Sequence, residues 1–241
     1  SIVVPVYGVE KYIERCARSL FTQTFGDIEY IFVNDCTKDS SMQVLEFVMK
    51  DYPARNVRII NKEKNEGLPQ ARKTGVLAST GDFIMHIDSD DWVEHDIVEK
   101  LYARAMEEVA DMVYCDWVEE YEDRSVLFSQ HPMSIENYYK SILGFKSFSY
   151  VWNRLTKREL YDGIEFPIPY MLEDFVITSQ LVSKAMKVSL VQEPLNHYSK
   201  MNTGQSMSQE KRKQNMVQKV RNLYSVWNRL NTSSQMALFN A

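Results

Sequence analysis

The sequence predicts an α/β fold in which a Rossmann-like, mostly parallel sheet carries helices on both faces. Over the first 120 residues, short apolar runs alternate with segments whose apolar side chains recur at helical spacing. The apolar runs are nearly continuous, as in strands that are buried on both faces of a sheet. We expect a ligand to bind beyond the carboxyl ends of these strands, as in other open α/β sheets.

The predicted elements follow one another in order. The run IVVPV at residues 2–6 predicts the first strand, and the helical spacing of residues 10–23 predicts the helix after it. On the same grounds the first half continues with strands at 28–35, 57–60, 82–92 and 111–118, and with helices from about residue 40, at 71–79 and at 95–109. The second half is less regular, with an edge strand at 126–130, helices at 134–145 and 173–185, and short strands at 187–192 and 195–199.

Composition narrows the class of protein. The 241 residues carry a net charge of -5, which argues against a general nucleic-acid binder, because such proteins present clustered Lys and Arg to phosphates. Cys16, Cys36 and Cys115 are widely spaced and form no CxxC pair, so we expect a reducing, cytoplasmic setting. No apolar run approaches the roughly 20 residues that span a bilayer.

Three aspartates lie at the end of the fourth predicted strand. Asp88, Asp90 and Asp91 lie in the stretch FIMHIDSDDW, and Asp35 ends the second strand. One or two acids at a strand end usually form a turn or a helix cap, and we interpret Asp91 as the residue that opens the following turn. Three acids within four residues repel one another unless a cation or hydrogen bonds compensate. A divalent cation such as Mg²⁺ or Mn²⁺ is the economical compensator, because hard cations bind carboxylate oxygens.

Several metal and phosphate motifs are excluded. An EF-hand loop that started at Asp88 would need glycine where Val93 stands. Neither G-x-x-x-x-G-K-[ST] nor G-x-G-x-x-G is present, which argues against a P-loop nucleoside triphosphatase and a dinucleotide oxidoreductase. A haloacid-dehalogenase-like phosphatase would carry its D-x-D on the first strand, whereas this D-x-D lies on the fourth and is followed by Asp91 and Trp92.

An ordered set of motifs resembles a known family. IVVPVYGVEKYIERCARSL, IFVNDCTKDSS and NEGLPQARKTGVLASTGDFIMHIDSDDW resemble the family 2 glycosyltransferases, which are inverting enzymes of the A-type glycosyltransferase fold with a nucleotide-sugar donor. Further on, VWNRLTKRELYDGIEFPIPYMLEDF resembles the acceptor-side region of that family. The resemblance implies a divalent metal, Mn²⁺ or Mg²⁺, and a saccharide or lipid-linked saccharide as acceptor.

On the donor side, the resemblance implies that the first strand and its turn line the nucleotide pocket. The corresponding residues here are Pro5, Val6, Tyr7 and Glu10, although Tyr7 could equally be a packed turn aromatic and Glu10 an acid favoured at a helix start. Asp35 matches the acid that accepts a hydrogen bond from the base. An ionised carboxylate only accepts hydrogen bonds, so it selects bases that present N–H, and a UDP-sugar is the favoured donor.

The resemblance also assigns the central motif. Arg72 matches an arginine near the donor, with a solvated helix residue as the alternative. Asp88, with Ser89 beside it, is expected near the ribose and the metal, and Asp90 is expected to bind the cation that bridges the diphosphate. The cation would stabilise the departing nucleoside diphosphate as a Lewis acid.

On the acceptor side, LEDF at residues 172–175 matches the Glu-Asp pair of the family. Asp174 is the expected base for the acceptor hydroxyl, and Glu173 would bind acceptor or cap the helix. Two solvated acids in a first helical turn are the alternative. His197 and Lys200 are further expected near the donor phosphates, as a weaker correspondence.

Departures from the family pattern keep two other functions open. Asn34 and Cys36 stand where the family commonly has an acid and a glycine, which leaves room for a degenerate homologue that binds a carbohydrate or a partner without catalysis. A sugar nucleotidyltransferase is disfavoured, because no glycine-rich, Arg-containing loop follows the first strand. The Q-x-x-R-W signature of processive synthases is absent from the sequence, which favours single transfers, and family analogy suggests bacterial cell-surface polysaccharide synthesis.

The sequence predicts three parts of the chain. The resemblance implies that residues 1–120 form the nucleotide-sugar-binding half and that residues 121–208 form the acceptor-binding region of the same domain. Basic residues and apolar side chains at helical spacing predict an amphipathic basic helix and tail at residues 209–241. We expect this helix to pack on the domain with its charged face in water. Peripheral contact with the inner face of a membrane is the alternative.

Overall fold

The computed structural model describes residues 1–144, 146–167, 172–201, 221–226 and 228. Its strands are β1 (Ile2–Val6), β2 (Glu29–Asn34), β3 (Asn56–Asn61), β4 (Phe83–His86), β5 (Trp92–Val93), β6 (Met112–Glu120), β7 (Ser125–Phe128), β8 (Arg154–Lys157) and β9 (Val188–Ser199). Its helices are α1 (Ile13–Phe21), α2 (Ser41–Met49), α3 (Leu68–Ala78), α4 (Ile97–Glu108), α5 (Ile135–Leu143) and α6 (Glu173–Lys184), with a 3₁₀ turn at Arg158–Tyr161.

All nine strands belong to one sheet, in the order β3-β2-β1-β4-β8-β6-β9-β5, with β7 paired to β6. β3, β2, β1 and β4 are parallel to one another. β8 is antiparallel to both β4 and β6, and β9 is parallel to β6. The carboxyl ends of β1, β2, β4 and β6 therefore lie at one edge of the sheet, and the predicted α/β fold class is confirmed.

Helices cover both faces of the sheet, as predicted. Ile2, Val4 and Val6 of β1 pack with α1, α2 and α4 on one face, whereas Val3 belongs to the core formed with α5 and α6 on the other. This alternation follows from the two-residue period of a strand. α3 approaches β1 so closely that a Cβ at Gly75 would overlap the Val3 side chain, so only glycine fits there.

Several predicted boundaries were wrong. The fourth strand ends at His86 instead of continuing to residue 92, because the chain turns at the aspartates. α3 begins at Leu68 and not at residue 71, since a proline in the first turn is compatible with a helix start. The two short strands predicted after residue 187 form the single strand β9, with an irregular register against β6.

The predicted C-terminal helix lies largely outside the described residues. Its described part, residues 221–226, is helical, and Val226 is buried in the core that contains α5 and α6 while Arg221 is exposed. No helix within the described ranges combines the length and apolar character that a bilayer span requires.

Candidate active site

The acidic motif forms a turn beyond β4. The Asp91 N–H donates to the Asp88 carbonyl oxygen at 3.1 Å and closes the turn, so Asp91 ends this turn and does not open the next one. Asp88 and Asp90 are partly exposed, whereas Ser89 and Asp91 are buried. The turn thus presents the first and third residues of D-S-D-D to solvent, and these are the two expected at the metal.

Asp91 anchors the far end of the sheet. Its Oδ1 accepts the Ser199 N–H at 2.7 Å, and its buried Oδ2 has no hydrogen-bond partner within the described part of the chain. Burial, together with Asp88 and Asp90, raises the pKa of Asp91 well above its usual range. This buried carboxyl holds the end of β9 against the acidic turn.

Arg72 joins the donor-side and acceptor-side carboxylates. α3 buries its side chain to 1% exposure, so the alternative of a solvated helix residue is wrong. Its Nη1 lies 2.5 Å from Asp174 Oδ1, and its Nη2 lies 2.7 Å from Asp88 Oδ1. Burial would lower the pKa of Arg72, but the two carboxylates raise it, so the guanidinium stays charged between them.

Asp174 lies in the first turn of α6 and is held from two sides. Besides Arg72, the backbone of Val151 lies near its carboxylate and lowers its pKa. Burial raises the pKa of Asp174, although Arg72 opposes the rise. A carboxylate with a raised pKa is a better proton acceptor than an ordinary aspartate when it is ionised. Burial and the neighbouring Asp174 also raise the pKa of Glu173.

The residues expected at the nucleotide lie where β1 and β2 end. Pro5 and Val6 are buried, whereas Tyr7 is 53% exposed and open to a flat ligand such as a base. The Glu10 carboxylate accepts the Ser40 N–H at 3.0 Å and so links the two loops. These positions surround the carboxyl edge of the sheet, but Glu10 already has a structural contact.

Asp35 organises the loop before α3. Its 3%-exposed carboxylate accepts the N–H groups of Glu66 at 3.0 Å and Gly67 at 2.7 Å, and it pairs with Lys62 at 3.2 Å. An ionised carboxylate has about four lone-pair sites, so these contacts leave room for one further donor. The next residue, Cys36, has a φ of 61°, which is the left-handed conformation that glycine adopts most easily.

His197 and Lys200 both have side-chain partners. The His197 ring lies 2.8 Å from Glu120 and 2.9 Å from Glu94, one contact at each nitrogen. Lys200 lies 3.5 Å from Glu119. To contact a donor phosphate, His197 and Lys200 would have to leave these carboxylate partners. Phosphate binding therefore stays a prediction for both residues.

A metal ion at this site would need ligands from a substrate as well as from the protein. Within the described ranges, His, Cys, Asp and Glu side chains do not gather into a set of three that could hold a metal ion. Mg²⁺ is usually bound by one or two carboxylates together with substrate phosphates and water. The partly exposed carboxylates of Asp88 and Asp90 fit that donor set. In the same turn, the buried Asp91 has one carboxyl oxygen, Oδ2, without a hydrogen-bond partner within the described residues.

The rings of Phe148, Tyr150 and Trp152 stack beside Asp174 and form an aromatic ladder that was not predicted from the sequence. Neighbouring rings lie 5.4 and 4.6 Å apart and within 20° of parallel. The pattern F-S-Y-V-W, with an aromatic at every second position, is the signal that could have revealed it.

Known proteins resemble the chain in both sequence and fold. The sequence profile described as Glycosyl transferase family 2 matches residues 1–172. EpsH of Bacillus subtilis (strain 168), whose assigned name is that of a glycosyltransferase, is 34% identical over 209 residues, covering 82% of this chain and 60% of its own. The glycosyltransferase GlyA of Streptococcus pneumoniae serotype 4 (strain TIGR4) is 29% identical, over 82% of this chain and 30% of its own. The chain therefore spans less than two thirds of either relative.

Solved structures share the fold at low sequence identity. S. aureus TarS 1-349 in complex with UDP-GlcNAc superposes with a TM-score of 0.75 and 20% identity, over 98% of this chain and 73% of that one. The mannosyltransferase PcManGT from Pyrobaculum calidifontis, in complex with GDP-Man and Mn²⁺, superposes with a TM-score of 0.66 and 15% sequence identity. This match covers 90% of this chain and 61% of that one. With the family profile covering most of the length, these findings lead to one conclusion: the chain has the A-type glycosyltransferase fold and belongs to glycosyl transferase family 2.

Proposed function

We propose that the chain is an inverting, metal-dependent glycosyltransferase that moves a sugar from a nucleotide-diphosphate sugar to an acceptor hydroxyl. The observation that carries this proposal is the bridge formed by Arg72, which ties the candidate base Asp174 to Asp88 of the acidic turn. A single displacement needs a base on the acceptor side and charge compensation on the donor side within one site.

In this mechanism Asp174 takes the proton of the acceptor hydroxyl as its oxygen bonds to the sugar C1, while the bond from C1 to the diphosphate oxygen breaks. Arg72 orients the carboxylate of Asp174. Glu173, in the same helical turn, would contact the acceptor. Asp88 and Asp90 would hold the divalent cation, Mn²⁺ or Mg²⁺, which when bound supplies Lewis-acid stabilisation of the departing diphosphate.

A UDP-sugar is the proposed donor. The exposed Tyr7, above the backbone of Pro5 and Val6, offers a face for the base, and Asp35 retains one lone-pair site for an N–H of uracil. Glu10 and Ser89 would complete the pocket. TarS has been crystallised with UDP and with UDP-GlcNAc, whereas PcManGT was crystallised with GDP-Man, and TarS superposes with the higher TM-score.

The proposed setting is cell-surface polysaccharide synthesis at the cytoplasmic face of the membrane, with a saccharide or lipid-linked saccharide as acceptor. His197 and Lys200 would reach the donor phosphates after exchanging their carboxylate partners. Peripheral membrane contact would involve the basic residues of 209–220, which lie outside the described ranges.

The test is a panel of nucleotide sugars scored for hydrolysis with and without Mn²⁺. We expect Asp90→Ala to abolish metal-dependent turnover, whereas Asp82→Ala, which removes an exposed carboxylate before β4, should leave it unchanged. Unchanged turnover in Asp90→Ala would refute the metal assignment. Calorimetry that detects no binding of any nucleoside diphosphate, with or without Mn²⁺, would favour a degenerate homologue.

A further inference from the structure

Solvent exposure decreases along the aromatic ladder, from Phe148 at its outer end to Trp152 at its inner end. Trp152 is 2% exposed, whereas Phe148, the terminal ring, is 41% exposed. All three rings also meet Trp117 edge-on, with centroid distances of 4.7, 5.7 and 5.8 Å. Because Trp117 is fully buried, it fixes the ladder as a rigid surface whose outer ring faces solvent.

The ladder is fastened to the helix that carries the candidate base. Thr178 Oγ1 of α6 donates to the Ser149 carbonyl at 2.7 Å, and the backbone of Val151 lies near enough to the Asp174 carboxylate to lower its pKa. Ser149 and Val151 are the residues between the rings. The hydrogen bond from Thr178 therefore ties the ladder to the helix that carries Asp174.

The ladder is linked to the acidic turn through the end of β9. The Tyr198 ring of β9 lies 5.2 Å from the Trp152 ring and 6.1 Å from the Tyr150 ring. The adjacent Ser199 N–H is held by Asp91 at 2.7 Å. The aromatic surface thus extends from the helix of the candidate base to the turn of the candidate metal ligands.

Hydrogen-bonding groups border this surface. Lys200 Nζ lies 4.0 Å from the centre of the Tyr198 ring and 3.5 Å from Glu119. The Tyr121 hydroxyl donates to the other oxygen of Glu119 at 2.6 Å. A flat apolar surface therefore adjoins an ammonium group, a carboxylate and a phenol, which together offer both donors and acceptors.

A pyranose ring combines the two properties that this surface would recognise. Its C–H groups form a flat apolar face that can stack on an aromatic ring, and its hydroxyls at the periphery need hydrogen-bonding partners. A linear polyol lacks the flat face, and a sterol would leave the polar border unsatisfied. Tyr150 is stacked between Phe148 and Trp152, so its two faces are covered and Phe148 is the exposed ring of the ladder. We propose that a pyranose ring of a saccharide acceptor stacks on Phe148, with Tyr150 at its edge, and that the acceptor hydroxyl is so held beside Asp174.

This inference rests on the proposed function for the reaction, but the binding site can be tested without it. The protein is titrated with methyl β-D-glucopyranoside, methyl β-D-galactopyranoside and methyl N-acetyl-β-D-glucosaminide, with ribitol as a ringless probe. Tryptophan fluorescence reports binding, because Trp117 and Trp152 belong to the aromatic surface. We expect at least one pyranoside to bind saturably and more tightly than ribitol.

Variants locate the site. Phe148→Ala should raise the dissociation constant of that pyranoside by about three- to tenfold, the effect of losing one aromatic stacking contact, and Phe148→Trp should restore it. Phe47→Ala is the matched control, because Phe47 is an exposed phenylalanine (62%) on α2. Equal dissociation constants for Phe148→Ala and Phe47→Ala would overturn the inference, and so would ribitol that binds as tightly as every pyranoside.

A measurement on the unaltered protein covers the case in which Phe148→Ala unfolds. In a saturation-transfer NMR experiment, irradiation of the aromatic protons of the protein should attenuate the C–H proton signals of the bound pyranoside. Absence of this transfer would overturn the inference. Metal-dependent hydrolysis of a nucleotide sugar without pyranoside binding would refute the ladder site alone. Pyranoside binding without any nucleotide binding or hydrolysis would refute the proposed function and leave the ladder site standing.

Discussion

Replacing Arg72 with methionine removes the cation that contacts both the candidate base Asp174 and the candidate metal ligand Asp88, while keeping an unbranched apolar stem. Arg72 is 1% exposed and lies 2.5 Å from Asp174 and 2.7 Å from Asp88. Loss of one partner from a buried ion pair costs about 3–5 kcal/mol, because the other charge stays behind uncompensated. Both carboxylate side chains are 21% exposed, so water screens part of the repulsion, and we expect the lower end, about 3 kcal/mol.

The assay is urea unfolding at pH 7, followed by tryptophan fluorescence. A loss of about 3 kcal/mol out of the usual 5–15 kcal/mol leaves a folded protein whose midpoint is clearly lower. Arg18→Met is the matched control, since Arg18 also contacts two carboxylates, Glu14 and Asp51, each at 2.9 Å, but on the surface. Exposed ion pairs contribute little, so the control should unfold at the wild-type midpoint.

The same variant affects the chemistry. Without Arg72 the pKa of Asp174 rises further, because the group that opposes the effect of burial is gone. The pH at which the transfer rate reaches half its maximum should therefore move upward, and the rate at pH 7 should fall by about tenfold or more. An Arg72→Met protein with the midpoint and the pH profile of Arg18→Met would refute the idea that Arg72 compensates these carboxylates.

Three further predictions concern the site and the sheet beneath it. Gly75→Ala should lower the free energy of unfolding by about 1–3 kcal/mol, because its methyl group would overlap Val3. Gly26→Ala is the control and should leave the free energy of unfolding unchanged, because nothing lies within 4 Å of the added carbon. Equal thermal midpoints for the two variants would contradict the packing argument. Cys36→Gly should raise the free energy of unfolding by up to about 1 kcal/mol by relieving the left-handed backbone, and a lower melting temperature would contradict it. The raised pKa of Asp174 predicts a transfer rate that rises with pH as this carboxyl ionises, and a free energy of unfolding that falls over the same interval, because the folded state binds the extra proton. Asp174→Asn should abolish the rising limb of the rate profile, and a retained limb would assign the base elsewhere.

Sequence reasoning located the first half of the sheet because its signals are local. β1 and α1 follow from apolar runs and helical spacing that tertiary contacts only reinforce. β8 has no such signal, because its four residues, RLTK, are mostly polar. The first three of them are buried because β4 and β6 lie on either side.

The motifs predict which residues form the candidate site but not how those residues contact one another. The resemblance predicts that Arg72 lies near the donor, whereas its observed partners are 16 and 102 residues away in the chain. No local pattern reports a contact across that separation. The acidic motif was similarly expected on a strand, and the turn that replaces the strand end depends on the buried hydrogen bond between Asp91 and Ser199.

The position of β8 limits how members of the family can exchange parts. This strand comes from the second half of the sequence but lies between β4 and β6 of the first half. A chimera joined at residue 120 would have to rebuild the sheet around a foreign central strand, and a fragment ending there would expose the unpaired edges of β4 and β6 to aggregation. If the aromatic ladder binds the acceptor as proposed, acceptor specificity should be changed more easily by exchanging the connection between β7 and β8, which contains the ladder, than by exchanging halves of the protein.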